Sequence, residues 1–267
     1  MGVAFRWCFQ VFALGSEQTG SRRKGIYLLP NLLTTGGLFA GFYSIVAAID
    51  GNFEAAAWAI FIAMFLDGTD GRVARMTSTE SEFGKEFDSL ADMASFGLAP
   101  AIVTYQWGVE RLSEYGAIWG RIGWLAAFLY AAAAAFRLAR FNTNVSTQDN
   151  RYFQGLASPP AAAAVASTVW ISTYYEIEGL VALAGGVTIT AVAGLLMMSR
   201  FRYPSFKDVN LTGRLRFAQL LLIPLVIIVI AIEPPLVVFA LFMLYACFGP
   251  AEWFWRRRRR RRASGGA

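Results

Sequence analysis

Four aspartates in one short stretch are the residues of this chain best suited to chemistry. Asp67 and Asp70 are three residues apart, and Asp88 and Asp92 are four residues apart. On an α-helix these spacings place both members of a pair on one face. Both pairs border strongly apolar segments, where ionisable side chains are costly. Such a cluster therefore indicates a functional site.

Converging carboxylates require neutralisation. Two unit charges about 4 Å apart repel each other by about 4 kcal/mol at an effective dielectric of roughly 20. Two divalent cations balance the four negative charges, and oxygen-only ligands suit Mg²⁺ or Mn²⁺. Paired ions of this kind support displacement at phosphorus because they stabilise the attacking and leaving oxygens together. The sequence therefore predicts a two-metal site. The alternative is a purely structural role, in which the acids form ion pairs with Arg72, Arg75 and Lys85.

The composition limits the classes of protein and of site. The chain has 267 residues, of which 56% are hydrophobic and only 16% are charged. This balance is typical of an integral membrane protein. Because the chain contains no histidine, Ser-His-Asp triads and histidine zinc sites are excluded. Its two cysteines, Cys8 and Cys247, have no metal-site spacing.

Apolar segments of about 20 residues, the length that a helix needs to cross a bilayer, recur along the chain. We expect an all-α, polytopic membrane protein with about eight transmembrane helices. The predicted spans are 31–49, 53–75, 84–106, 119–141, 158–175, 179–199, 215–232 and 235–255. The predicted domains are an N-terminal interfacial or juxtamembrane segment (1–25, with an interfacial helix at 3–14), a transmembrane catalytic domain (26–255) and a basic tail (256–267).

The basic residues predict how the chain lies in the membrane. With the N-terminus in the cytoplasm, all but two of the 24 Lys and Arg residues fall on the cytoplasmic side, as the positive-inside rule requires. Both termini and all four aspartates then lie at the inner membrane surface. The seven arginines of 256–262 are expected to attract anionic lipid headgroups, and we expect no nucleic-acid partner.

The aspartate region resembles the signature of the CDP-alcohol phosphotransferase family, D-x-x-D-G-x-x-A-R-x(8)-G-x-x-x-D-x-x-x-D. Asp67, Asp70, Gly71, Ala74, Arg75, Gly84, Asp88 and Asp92 match every fixed position. Members transfer a phosphatidyl-type group from a CDP-linked lipid or alcohol to a second alcohol and release CMP. The resemblance implies that the four aspartates hold two divalent cations and that Asp92 is the catalytic base. It also implies that Gly71, Ala74, Arg75 and Ser81 bind the CDP-lipid, and it suggests a homodimer.

Further segments resemble the bacterial integral-membrane phosphatidylserine synthases of this family. The stretch 27–34 resembles the opening to their first span, and its Asn31 and Thr34 would face the CDP-lipid. A simpler interpretation is that both residues start a helix after Pro30. Arg137-Leu-Ala-Arg140-Phe-Asn142 resembles another segment of that branch. We expect these residues to bind the serine carboxylate or a lipid phosphate.

The resulting hypothesis is an enzyme of the bacterial inner membrane that makes phosphatidylserine from CDP-diacylglycerol and L-serine. One alternative keeps the mechanism and changes the acceptor to glycerol 3-phosphate, inositol phosphate or choline. An alternative of another class is a cation transporter that uses the aspartates as an ion site. A third is a noncatalytic lipid-binding scaffold, which would leave the aspartates unexplained.

Overall fold

The computed structural model describes residues 24–77, 81–143, 152–204 and 232–264. Almost all of these residues are helical, which confirms the predicted fold class. The helices are α1 (Lys24–Ile49), α2 (Phe53–Thr77), α3 (Glu82–Asp92), π1 (Met93–Leu98), α4 (Ala99–Thr104), π2 (Tyr105–Val109), α5 (Glu110–Glu114), α6 (Ala117–Thr143), α7 (Ser158–Tyr174), α8 (Leu180–Met198) and α9 (Pro234–Ser264). Two short strands, β1 (Tyr152–Gln154) and β2 (Arg202–Pro204), pair in antiparallel fashion within the described part.

Several helices have the length and apolarity of membrane spans. Among the described residues four qualify: Leu29–Ile49, Ala117–Thr143, Leu180–Met198 and Pro234–Trp255. Large apolar side chains such as Phe39, Phe65 and Leu244 are exposed on the outside of the bundle. An exposed apolar surface of this extent is typical of a protein that contacts lipid. The predicted seventh span, 215–232, lies almost wholly outside the described residues, as does the predicted interfacial helix at 3–14.

Small residues bring the helices of the core close together. Ala56, Ala57 and Ala63 of α2 are completely buried, and most residues of α7 at the centre of the bundle are also buried. Small side chains allow the backbones of membrane helices to approach and gain van der Waals contact. At Gly41, α1 lies very close to π1. A Cβ atom at this position would lie 2.6 Å from the Cα of Ser95.

The predicted third span, 84–106, is interrupted rather than regular. It begins as α3, passes through the π-helical turn π1 directly after Asp92, and widens again in π2. A π turn changes the angular position of the residues that follow it, and such turns often occur at functional sites. Here π1 turns Ser95 towards α1, where its hydroxyl donates a 3.1 Å hydrogen bond to the Gly37 carbonyl. The site residues of α3 are thereby fixed against α1.

The short ribbon of β1 and β2 joins α7, α8 and α9 at one end of the bundle. Tyr203 of β2 is completely buried and donates a 2.9 Å hydrogen bond to the Ala246 carbonyl of α9. Next to β1, Gly155 has φ +81° and lies against the end of α8, where a Cβ would lie 2.4 Å from the Met197 carbonyl oxygen. The segment that leads into α7 is therefore held by backbone contacts that only glycine permits.

Candidate active site

Three of the four aspartates meet between the end of α2 and the middle of α3. A carboxylate oxygen from each of Asp67, Asp70 and Asp88 lies within 4.8 Å of the corresponding oxygens of the other two. Asp70 is buried, with 4% of its surface exposed, and the other two are partly buried. The helical spacing that the sequence showed thus places these groups on facing sides of two neighbouring helices.

Asp92 lies one turn beyond Asp88 and lines the same cavity, but it is not one of the three clustered carboxylates. Asp67, which lies on α2, lines the same cavity. The four predicted acids therefore share one site, with Asp92 at its α3 end. A carboxyl group next to the cluster, rather than inside it, is placed to act on a molecule bound there.

Contacts from α1 orient the acids. Thr34 lies opposite Asp70, and its hydroxyl donates a 2.7 Å hydrogen bond to Asp70 Oδ2. The Thr34 oxygen is also 3.1 Å from the Pro30 carbonyl oxygen. Outer hydrogen bonds of this kind fix the direction in which a ligating carboxylate points. The interpretation of Thr34 as a helix-start residue is wrong, because α1 begins at Lys24 and passes through Pro30.

The cavity is small and mixed in character. It encloses about 190 Å³ of empty space, including the part that opens to the outside. Its lining consists of Thr34, Gly37, Ala63, Asp67, Asp70, Asp88, Ala91, Asp92, Ser95 and Phe96.

The donor set fits divalent cations. Every clustered ligand atom is a carboxylate oxygen, which is the ligand that hard ions such as Mg²⁺ and Mn²⁺ prefer. The basic residues of the structural alternative, Arg72, Arg75 and Lys85, have exposed side chains, whereas the acids point into the cavity. The aspartate cluster can therefore hold metal, and the CDP-lipid and acceptor would be bound by the residues around its mouth.

The residues predicted to bind the CDP-lipid lie around the cluster. Gly71 and Ala74 are half-buried on α2, and the exposed Arg75 lies directly after Ala74 and one turn after Gly71. Asn31 lies against Gly84, since a Cβ at Gly84 would be 3.4 Å from the Asn31 Oδ1 atom. The missing side chain at Gly84 thus allows α1 and α3 to approach each other beside the acids.

Ser81 has a structural contact in addition to its predicted role. It is the N-cap residue of α3, and its hydroxyl accepts a 3.0 Å hydrogen bond from the Gly84 amide. An N-cap of this kind satisfies one of the free amides at a helix start. The contact fixes the beginning of α3 and therefore the position of Asp88, about two turns further on.

The predicted acceptor-binding residues of α6 lie on the other side of Asp92. Arg137 interacts electrostatically with Asp92 and Asp67. Asn142 donates a 2.9 Å hydrogen bond from its Nδ2 to the hydroxyl of Ser89, the residue after Asp88. These contacts place the end of α6 next to the acid-bearing face of α3.

Sequence reasoning missed the partners of the two arginines. Arg137 donates a 2.6 Å hydrogen bond from Nη1 to the hydroxyl of Ser158. Arg140 donates a separate hydrogen bond from Nη2 to the side-chain oxygen of Gln154. Gln154 is the last residue of β1, and Ser158 is the first residue of α7. Nothing in the local sequence around either partner indicates that its side chain contacts an arginine.

Several known proteins have sequences similar to that of this chain. A "CDP-diacylglycerol--serine O-phosphatidyltransferase" of Helicobacter pylori strain J99 is 39% identical over 231 residues, which is 85% of this chain and 92% of the relative. A protein of the same name from Mycobacterium leprae is 30% identical over an alignment that covers 88% of this chain and 77% of the relative. An "Archaetidylserine synthase" of Methanothermobacter thermautotrophicus is 34% identical, covering 66% and 69%.

The family model described as CDP-alcohol phosphatidyltransferase matches residues 27–198. That range contains α2 to α8, all but the first three residues of α1, and every residue of the aspartate cluster. Because the match covers more than half of the chain and the relatives align over most of it, the chain belongs to the CDP-alcohol phosphatidyltransferase family.

Proposed function

We propose that this protein transfers the phosphatidyl group of CDP-diacylglycerol to the hydroxyl of L-serine, which yields phosphatidylserine and CMP. The observation that carries the proposal is the meeting of the Asp67, Asp70 and Asp88 carboxylates within 4.8 Å, with Asp92 on the same cavity. The choice of serine is supported by the names of the relatives from three organisms. The family does not support a cation transporter.

In the proposed reaction the serine hydroxyl oxygen attacks the phosphorus that bears the diacylglycerol. A new P–O bond to serine forms, the P–O bond to the CMP phosphate breaks, and CMP leaves with the bonding electrons. The proton of the hydroxyl passes to the Asp92 carboxylate, since a hydroxyl is a weak nucleophile until a positioned base accepts its proton. Asp92 suits this role because it lies beside the clustered acids.

Asp67, Asp70 and Asp88 would hold divalent cations, Mg²⁺ or Mn²⁺, and Asp92 would contact the second of two ions. When bound, such ions neutralise the negative charge that develops on the pyrophosphate. Thr34 keeps Asp70 oriented for this purpose.

The substrates would approach the cluster from two sides. Asn31 and Thr34 from α1, with Gly71, Ala74, Arg75 and Ser81 from α2 and the start of α3, would bind the CDP-lipid. Arg137, Arg140 and Asn142 from α6 would bind the serine carboxylate or a phosphate. A guanidinium suits either group because its planar fork pairs with two oxygens at once.

We further propose that the site faces the cytoplasm of a bacterial inner membrane, with both termini on that side. The distribution of Lys and Arg supports this orientation. Residues 26–255 would form the catalytic domain and assemble as a homodimer. Helix α9 extends without a break from its apolar part into the arginine run, which would place these charges among anionic headgroups.

An acceptor screen tests the proposal. The purified protein is supplied with CDP-diacylglycerol and Mg²⁺ or Mn²⁺, and CMP release is measured with L-serine, glycerol 3-phosphate, inositol phosphate or choline. We expect CMP and labelled phosphatidylserine in equal amounts with serine and little CMP with the other alcohols. Rapid turnover with glycerol 3-phosphate and none with serine would show that the acceptor is wrong while the family chemistry is right.

A further inference from the structure

The contact between α6 and the start of α7 has no role in the reaction as described so far. Arg137 donates a hydrogen bond from Nη1 to the hydroxyl of Ser158 at 2.6 Å. Ser158 is the first residue of α7, and none of its surface is exposed. A hydrogen bond to a charged donor in such an environment is short and strong, and it fixes the plane of the guanidinium.

One nitrogen of the same guanidinium, Nε, is left without a hydrogen-bond partner among the described residues. The Nε of Arg137 is buried and makes no hydrogen bond to any described residue. An arginine offers five N–H donors, and Nε shares one edge of the fork with Nη2. That edge pairs with a carboxylate in bidentate geometry, and the Ser158 contact is made by the other terminal nitrogen, Nη1. The orphaned donor is therefore on the edge that an anionic ligand would use.

The position of this edge relates it to the reaction. Arg137 interacts electrostatically with Asp92, the proposed base. A serine whose carboxylate pairs with Arg137 would carry its hydroxyl only a few bonds away from that contact. A buried cation with an unsatisfied donor is costly in the free protein, and a bound carboxylate would remove that cost.

Ser158 stands on a rigid support. The Gly155 amide donates a 2.8 Å hydrogen bond to the Phe201 carbonyl, and the Leu156 amide donates a 3.0 Å bond to the Leu196 carbonyl. Gly155 itself has a positive φ and packs against the end of α8. Because this segment is fixed before α7 begins, Ser158 presents its hydroxyl to Arg137 in a preorganised position.

We propose that Ser158 is a positioning residue that sets the affinity for the acceptor's carboxylate by holding Arg137 with its Nε edge directed to that group. This inference rests on the proposed function and adds to it a residue outside the metal cluster. Ser158 touches neither substrate, so it acts through Arg137. Its loss should weaken recognition of the carboxylate and leave the handling of CDP-diacylglycerol unchanged.

The test compares Ser158→Ala with Ser167→Ala. Ser167 is equally buried in the same helix, but its hydroxyl donates a 3.0 Å hydrogen bond to the Ala164 carbonyl of its own helix. We expect Ser158→Ala to raise KM for L-serine roughly tenfold, as the loss of a hydrogen bond to a charged group implies. The KM for CDP-diacylglycerol should stay within about twofold of wild type. Ser167→Ala should leave both constants unchanged.

Two further measurements separate positioning from a structural effect. Serinol has the serine hydroxyl but no carboxylate, so Ser158→Ala should reduce the preference for serine over serinol by roughly the same factor. In an Arg137→Lys background, Ser158→Ala should add little, since coupled residues are non-additive. An increase in the KM for CDP-diacylglycerol instead, or additive effects of the two substitutions, would overturn the inference. Wild-type turnover with serine tests the proposed function separately.

Discussion

The hydroxyl of Thr34 in α1 donates a 2.7 Å hydrogen bond to the carboxylate of Asp70 in α2. Asp70 is the most buried of the clustered acids, and this bond joins it to a helix that carries none of them. The first helix therefore orients a predicted metal ligand on the second. This relationship explains why a threonine stands at a position that faces the protein interior.

Replacing Thr34 by valine keeps the shape of the side chain and removes the donor. We expect the metal concentration for half-maximal activity to rise about 10–100-fold, which is the usual cost of losing an outer partner of a metal ligand. The matched control is Thr35→Val, because the exposed Thr35 bonds to the Asn31 carbonyl of its own helix. Equal metal activation of both variants would contradict the orienting role.

Asp92→Asn tests the catalytic base. The amide keeps the size of the side chain but cannot accept the serine proton, so we expect kcat to fall about 10²–10⁴-fold. Binding of CDP-diacylglycerol, measured by equilibrium titration, should change little. Glu86→Gln, an exposed acid on the same helix, serves as the control and should keep full activity. Full activity of Asp92→Asn would remove the base from the mechanism.

Alanine substitutions at two adjacent glycines of α8 should have different effects on the stability of the protein. A Cβ at Gly186 would lie 2.5 Å from the buried Trp107 ring of π2, whereas a Cβ at Gly185 would meet open space. Gly186→Ala should therefore destabilise the protein by about 1–3 kcal/mol through overpacking. Gly185→Ala should be neutral or slightly stabilising, because alanine favours the helix. Thermal unfolding in detergent measures both, and equal melting temperatures would contradict the packing of α8 on π2.

The proposed orientation predicts which positions water-soluble reagents reach. In a protein with Cys8 and Cys247 replaced by serine, we expect Ser113→Cys to react with an impermeant maleimide from the outer side. Ser264→Cys should react only when the cytoplasmic side is exposed, as in inverted vesicles. Each cysteine serves as the control for the other. Labelling of both from the same side would mean that the termini and the 110–114 helix are not separated by the membrane.

The sequence predicted the helical class and the meeting of the acids for clear physical reasons. Helix periodicity alone places Asp67 with Asp70 and Asp88 with Asp92, and a short connection between two apolar helices brings the pairs together. Apolar helices of membrane length, such as Ala117–Thr143, can be predicted from hydropathy and length without knowledge of tertiary contacts.

What escaped prediction depends on hydrogen bonds between distant residues or on local backbone geometry. Hydropathy does not reveal hydrogen-bond register, so the π turns after Asp92 were read as regular helix. The start of α1 was placed too late because Pro30 was taken as its boundary. The bond from Arg137 to Ser158 joins separate helices, and nothing in the local sequence around either residue specifies it.

The account depends most on the binding of divalent cations by the aspartate cluster. Mn²⁺ titration of the purified protein, followed by electron paramagnetic resonance, counts bound ions without requiring turnover. We expect two Mn²⁺ per chain, and we expect Asp70→Asn and Asp88→Asn each to lose tight binding. The exposed acid Glu82, changed to glutamine, should leave both ions bound. Retention of the ions by both aspartate variants, or no tight binding to the wild-type protein, would contradict the account.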